Sequence, residues 1–249
     1  MSTDRGPLRW LDKALLAQQP LVAQHVQRLK KSRPRCTPDD LIRVLEKQYI
    51  ATLTGSGAAL GAAAAAPGVG TGAYVALSGG EAFTSLEATV LYILAVAEVH
   101  GVAVHEIERR RTLVMAILLG ESGTEFVQEV TARTGKYWAN RLVQDIPMSQ
   151  INKINRVLGP RFITKYGTKQ GVIVLGRALP FGIGVCIGAG GNYVIARGVV
   201  AAARRAFGPP PGKFRRTRRP KTPGGPGHAA ALVGSPKVAT ARPGRAKAA

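Results

Sequence analysis

The chain has 249 residues, and its 35 Lys and Arg residues against 14 Asp and Glu residues give a formal net charge of +21. This length fits one large domain or a domain with tails. Only two cysteines are present, which excludes a disulfide scaffold and a four-cysteine zinc site. A mean hydropathy of +0.03 argues against a transporter with many membrane spans.

The first segment, residues 1–36, is predicted to be an amphipathic basic helix in which Pro20 bends or divides the chain. Its apolar residues recur at helical spacing and are followed by a basic run: Leu8, Leu11, Leu15, Val22, Val26, Leu29, then Lys30, Lys31, Arg33 and Arg35. No apolar run and cleavage site of a secretory signal follow the first arginines. The stripe suits packing on the rest of the protein, or contact with a lipid interface beside Trp10.

Residues 37–207 are predicted to form one helical domain. Thr37-Pro38-Asp39-Asp40 predicts a helix start, because Thr caps free amides, Pro fits the first turn and carboxylates favour the positive end of the helix dipole. That helix is expected over 38–52. Residues 48–80 then contain no charged residue, and this stretch predicts two apolar helices joined near Pro67.

Two further helices are expected over 82–99 and 103–119, with His100-Gly101 between them. The second is predicted to have a solvent-exposed face formed by its charged side chains: Glu106, Glu108, Arg109, Arg110 and Arg111. Later N-terminal caps are predicted at Ser122, in a capping box with Glu125, and at Ser149. Gly159-Pro160 is predicted to break the helix that carries Ile151, Ile154 and Leu158.

A second uncharged block covers residues 178–196 and contains five glycines. Asn192 within it would need a partner if buried, and a helix-to-helix hydrogen bond is expected. The last helix should end at Gly208, with Arg204 and Arg205 near its negative end. Close helix packing is predicted at the small residues of the two blocks: Gly55, Gly57, Gly61, Gly184 and Gly188. No convincing strand pattern occurs, so the predicted fold class is an all-α helical bundle.

Residues 208–249 form a Lys-, Arg- and Pro-rich tail. Residues 204–249 hold twelve basic residues and no acidic one. Such a composition cannot bury enough apolar surface to offset the entropy of ordering it, so a disordered tail is expected. Six basic residues are predicted to contact an anionic surface: Lys213, Arg215, Arg216, Arg218, Arg219 and Lys221.

The domain resembles the EcsC protein family. The resemblance covers roughly residues 50–207 and is carried by Thr54-Gly55, Gly61, Pro67 and Glu81 ahead of a helix closing at His100-Gly101, and then by Leu179-Pro180-Phe181-Gly182, Gly188-Ala189, Asn192-Tyr193 and the segment 201–207. It implies a bacterial, helical protein that is often membrane-associated and has no established reaction. It offers no catalytic residue to carry over.

Nucleotide and metal sites are disfavoured by residue spacing. The glycines Gly55, Gly57 and Gly61 do not match a dinucleotide fingerprint, and no strand–helix–strand unit surrounds them. His105-Glu106 lacks the second histidine of a zinc-binding helix. No cofactor or metal is therefore expected, and His100 and His105 are predicted to be solvated polar groups at a helix junction. If the protein were an unrecognised hydrolase or redox enzyme, Glu81, Glu98, His100 and His105 would be the residues to mutate first.

The uncharged blocks are long enough to span or dip into a membrane, although their Gly and Ala residues supply little transfer free energy. The leading functional hypothesis is a membrane-associated protein that acts by interaction, located in the cytoplasm at the inner face of the cell membrane. A protein partner is possible, and the oligomeric state is open. An alternative is a nucleic-acid-associated protein that binds non-specifically through the basic tail. An enzyme is the less favoured alternative.

Overall fold

The computed structural model describes residues 6–65, 71–102, 104, 106–131, 137–142, 145–177 and 183–214. These residues form α-helices, turns and short connections, with no strand among them, so the all-α prediction is confirmed for this part of the chain. The helices are α1 Gly6–Ser32, α2 Pro38–Ala65, α3 Thr71–Val99, α4 Ile107–Leu119, α5 Glu121–Val130, α6 Trp138–Arg141, α7 Met148–Arg177 and α8 Ile183–Phe207. The basic tail beyond residue 214 lies outside the described residues.

Helix α1 is part of the same core as the other helices. Its apolar stripe from Leu11 to Leu29 is buried, as the spacing predicts, and the helix packs against α3 and α4. Pro20 lies inside α1 and does not divide it. The proline is exposed, so its ring stands away from the core. An ion pair between Arg111 and Asp12, with 2.7 Å between nitrogen and oxygen, links α4 to α1.

Helix α2 begins with the predicted cap. The Asp40 backbone N–H donates to Thr37 Oγ1 at 3.2 Å, and the Thr37 N–H donates to the Asp40 carboxylate at 3.0 Å. These reciprocal bonds satisfy free amides at the helix start. The Thr37 hydroxyl also donates to the Asp40 carboxylate at 2.7 Å, and this bond, together with the one from the Thr37 N–H, holds the pKa of Asp40 below its usual value. The predicted end near residue 52 is wrong, since α2 continues through Gly55 to Ala65.

The end of α3 follows the prediction for His100-Gly101. Gly101 adopts φ 73°, and the Val102 N–H donates to the Ala97 carbonyl at 2.9 Å. This left-handed turn terminates the helix because only glycine adopts it without steric cost. The start of α3 differs from expectation, since the helix begins at Thr71 and not near residue 82.

The three arginines of α4 do not form the predicted solvent-exposed face. Arg109 donates to the carbonyl oxygens of Leu142 and Ile146, the latter at 2.8 Å. Arg110 is buried and donates to the Val104 carbonyl at 2.6 Å, while Arg111 pairs with Asp12. The prediction is wrong because each guanidinium satisfies acceptors of another segment and so can be partly desolvated.

Two predicted caps and one predicted break are also wrong. Ser122 and Ser149 lie inside α5 and α7, and no side-chain cap bond forms at the start of α5. Gly123, next to Ser122, instead allows a close approach, because a Cβ there would lie 2.5 Å from the Ala116 carbonyl oxygen of α4. Helix α7 continues through Pro160 to Arg177, and Phe162 just beyond the proline is buried.

Helix α8 runs antiparallel to α2 and makes the most extensive helix contact of the fold. Asn192 is buried, and its side-chain amide donates to the Leu53 carbonyl at 2.8 Å, which confirms the predicted interhelical bond. The helix ends at Gly208, as expected, with φ 75°. A side chain at Gly208 would clash with the ring of Tyr137, so glycine is required there for both backbone and space.

Replacing the Asn192 amide by an isosteric acid tests the α2–α8 hydrogen bond. Asn192→Asp should lower the free energy of unfolding by roughly 2–4 kcal/mol at neutral pH, because a buried carboxylate oxygen would replace the donating amide and face the Leu53 carbonyl oxygen. Asn152→Asp is the matched control, since Asn152 is exposed on α7. Urea unfolding monitored by circular dichroism measures both. Equal stability of the two variants would contradict the account of this bond.

Candidate functional site

One end of the bundle brings together basic residues that are far apart in the sequence. The Phe214 ring packs against the core, and the Lys30 ammonium lies 4.2 Å from its centroid. A cation over an aromatic face is attracted by the ring quadrupole. The start of the tail is therefore fixed at the end of α1. We call the basic residues at this end the basic corner: Lys30, Lys31, Arg33, Arg35 and Lys213.

The basic corner is exposed and carries unbalanced charge. All of its side chains except the half-buried Lys30 are exposed. None of them forms an ion pair with a carboxylate of the described residues, whereas Arg43 just beyond the corner pairs with Asp39 at 2.7 Å. Unpaired cations close together raise the local positive potential and attract anionic surfaces.

A cavity of about 590 Å³ opens beside the same end of the bundle. Its walls come from α2, α3, α5 and α8, and Gly208, Pro209 and Pro210 line it where the chain leaves α8. The volume lies within the range of about 300–1,000 Å³ that small-molecule sites occupy. Most of the lining is apolar, with a few polar groups among the walls.

An ion pair between α2 and α8 lines this cavity. Arg204 donates from Nε to Glu46 Oε1 at 2.6 Å and from a terminal nitrogen to Oε2 at 2.5 Å. The Glu46 side chain is only 8% exposed, while that of Arg204 is 62% exposed. The two parallel bonds compensate the desolvated carboxylate, and they raise the pKa of the Arg204 guanidinium further above its ordinary value.

Two stacked tyrosines lie between α2 and α3. The rings of Tyr49 and Tyr92 are 4.6 Å apart and nearly parallel. The Tyr49 hydroxyl shares a hydrogen bond of 2.9 Å with Thr89. The Tyr92 hydroxyl is buried without a hydrogen-bond partner among the described residues. Burial raises the pKa of both tyrosines far above the usual range, so both are neutral donors at every physiological pH.

His100 forms part of the cavity wall and not a solvated junction. The sequence predicted solvated polar groups at this helix junction, but His100 is only 6% exposed. Its ring stacks on Phe207 with 5.0 Å between centroids. Burial lowers the pKa of His100 to about 4, because the charged imidazolium would lose its hydration. The imidazole is thus neutral near pH 7.

The predicted glycine contacts are described only in part. Gly55 is exposed, and a Cβ there would meet nothing within 4 Å, so this glycine does not mark a close approach. Gly57 is buried on α2. The surroundings of Gly61, Gly184 and Gly188 lie outside the described residues, and their role in helix packing stays a prediction.

The residues proposed for chemistry are not brought together into a site. His105 and the Glu81 side chain lie outside the described residues, Glu98 is half-buried and His100 is buried. No group of three metal-ligating side chains occurs in the part of the chain that the structure describes. Of the six basic tail residues, Lys213 is described and exposed. Arg215, Arg216, Arg218, Arg219 and Lys221 lie beyond it.

Sequence reasoning missed Glu46, although a signal was present. Glu46 lies on the apolar stripe of α2. Ile42 lies one helical turn before it and Tyr49 one turn after it. A carboxylate on such a stripe is desolvated and predicts a cationic partner on the facing helix. Arg204 was recognised only as a cation near a helix end. Which helix faces α2 could not be deduced from spacing alone.

Comparison with known proteins adds no relative. No family model matches the chain, and no curated protein or solved structure is detectably similar to it. Within the described residues, no helix has both the length and the hydropathy needed to cross a bilayer.

The buried imidazole makes stability depend on pH. Because the folded-state pKa of His100 is about 4 and an unfolded histidine titrates near 6.5, the unfolded state binds the proton first as the pH falls. The contribution of neutral His100 is fully present above about pH 6.5 and is lost between pH 6.5 and 4. Over this interval wild type should lose up to about 3 kcal/mol more than His100→Gln. Urea unfolding at a series of pH values measures both proteins. An equal loss of stability in wild type and His100→Gln between pH 6.5 and 4 would contradict this prediction.

Proposed function

We propose that the protein is a helical, membrane-associated protein that binds anionic lipid surfaces through the basic corner and the tail, and that acts by interaction without catalysis. The observation that carries the proposal is the contact of Phe214 with the core and with Lys30. It makes the tail begin at the basic end of α1. The basic residues at the end of α1 and Lys213, which lie far apart in the sequence, thus present their charge from one end of the bundle.

The energetics favour reversible adsorption. A lysine or arginine near an anionic bilayer contributes about 1 kcal/mol, so the five residues of the basic corner give on the order of 5 kcal/mol before the tail is counted. Arg215 and Arg216 follow Phe214 directly in the sequence and would add to this attraction. The resemblance to the EcsC family points the same way, and adsorption at the cytoplasmic face of the cell membrane is the localisation we propose.

Vesicle sedimentation tests the proposal with the full-length protein. The protein should bind phosphatidylcholine vesicles that contain phosphatidylserine, bind pure phosphatidylcholine vesicles far less, and be released by high salt. Substituting Lys31, Arg33 and Arg35 by Gln should weaken binding by at least about tenfold. Substituting Lys153, Arg156 and Arg197 by Gln removes equal charge from exposed positions elsewhere, and should have a much smaller effect.

Phe214→Ala distinguishes the effect of the arrangement of the basic corner from the effect of net charge, because it removes the Phe214 ring without changing any charge. Loss of the cation–π contact should weaken vesicle binding by roughly threefold. The proposal would be contradicted if the triple Gln variant of the basic corner and the triple Gln control variant lost the same affinity. Equal binding to neutral and anionic vesicles would also contradict it. If the protein ignores both kinds of vesicle but binds duplex DNA with a steep salt dependence, the nucleic-acid alternative replaces it.

A further inference from the structure

The cavity beside α8 has the size and lining of a small-molecule site, and adsorption to lipid does not use it. Its wall is mostly apolar, and the walls are contributed by four helices of one packed unit. A concave apolar site with a few convergent polar groups is typical of ligand binding. Arg205 and the aromatic side chains of the lining determine what kind of ligand fits.

The aromatic side chains favour a flat ligand body. Tyr92, His100, Tyr137 and Phe207 all line the cavity, in a chain where only 6% of residues are Phe, Trp or Tyr. Because His100 is neutral and stacked on Phe207, it contributes a planar face without a charge. Offset or edge-to-face stacking against such walls stabilises an aromatic ring beyond the gain from apolar burial.

Arg205 provides an unmet positive charge. The other charged residues that line the cavity are paired, Glu46 with Arg204 and Asp39 with Arg43. Arg205 is exposed and forms no ion pair or hydrogen bond with the described residues. Its guanidinium can bind a carboxylate through two parallel hydrogen bonds.

We propose that this cavity binds an aromatic carboxylic acid. The carboxylate pairs with Arg205, and the ring lies against the aromatic walls. This inference is independent of lipid binding, and either one can fail alone.

The test uses 2-naphthoate as a fluorescent probe of the full-length protein. Binding should be saturable, and the neutral methyl ester should bind at least about tenfold more weakly, because it cannot pair with Arg205. Arg205→Gln should weaken binding of the acid about tenfold. The matched control is Arg197→Gln, an exposed arginine of α8 that does not line the cavity, which should bind as wild type does.

Circular dichroism confirms that each variant is folded. The proposal is overturned if no saturable binding occurs, if ester and acid bind equally, or if both arginine variants lose the same affinity.

Discussion

The pairing of α2 with α8 is the contact on which the rest of the structure depends. Two polar bonds fix its direction and register: Glu46 binds Arg204 near one end, and the Leu53 carbonyl binds Asn192 further along. The buried Glu46 carboxylate and the buried Asn192 amide thus each find a hydrogen-bond partner on the facing helix. Helices that share apolar faces can slide or reverse at little cost, whereas a misplaced Glu46 would be a buried charge without a partner. These two polar contacts therefore select one alignment of α2 and α8 among many that would bury a similar apolar area.

Both surfaces for which we propose binding lie at the end of the bundle that this pairing defines. The last turn of α8 carries Arg204 and Phe207 into the cavity wall, and Gly208 turns the chain beside Tyr137. The chain then reaches Phe214, which packs under Lys30 and completes the basic corner. A shift of α8 along α2 would therefore alter the cavity and the origin of the tail together. The two proposed binding surfaces therefore depend on the same helix pairing.

Sequence periodicity predicted the existence and type of most elements, because the apolar stripe of α1, the cap at Thr37 and the end at Gly208 depend on local interactions. It failed where tertiary contacts override local preference. Pro20 and Pro160 lie inside helices that packing maintains, and Arg109, Arg110 and Arg111 find acceptors on segments that spacing cannot place next to them. Lys213 was predicted as a surface contact and the basic run at residues 30–35 was noted, but their proximity was not predicted, since it depends on the packing of Phe214. The cavity was not predicted, because its walls come from four helices and the turn after α8.

Native-state hydrogen exchange of wild type and Arg204→Gln tests the central claim most directly. If α2 and α8 form one cooperative unit, amides of 41–53 and of 196–207 should open with the same free energy. Removing the partner of buried Glu46 should lower both by the same amount, about 2 kcal/mol. Loss of protection in α8 alone, with α2 unchanged, would contradict the account.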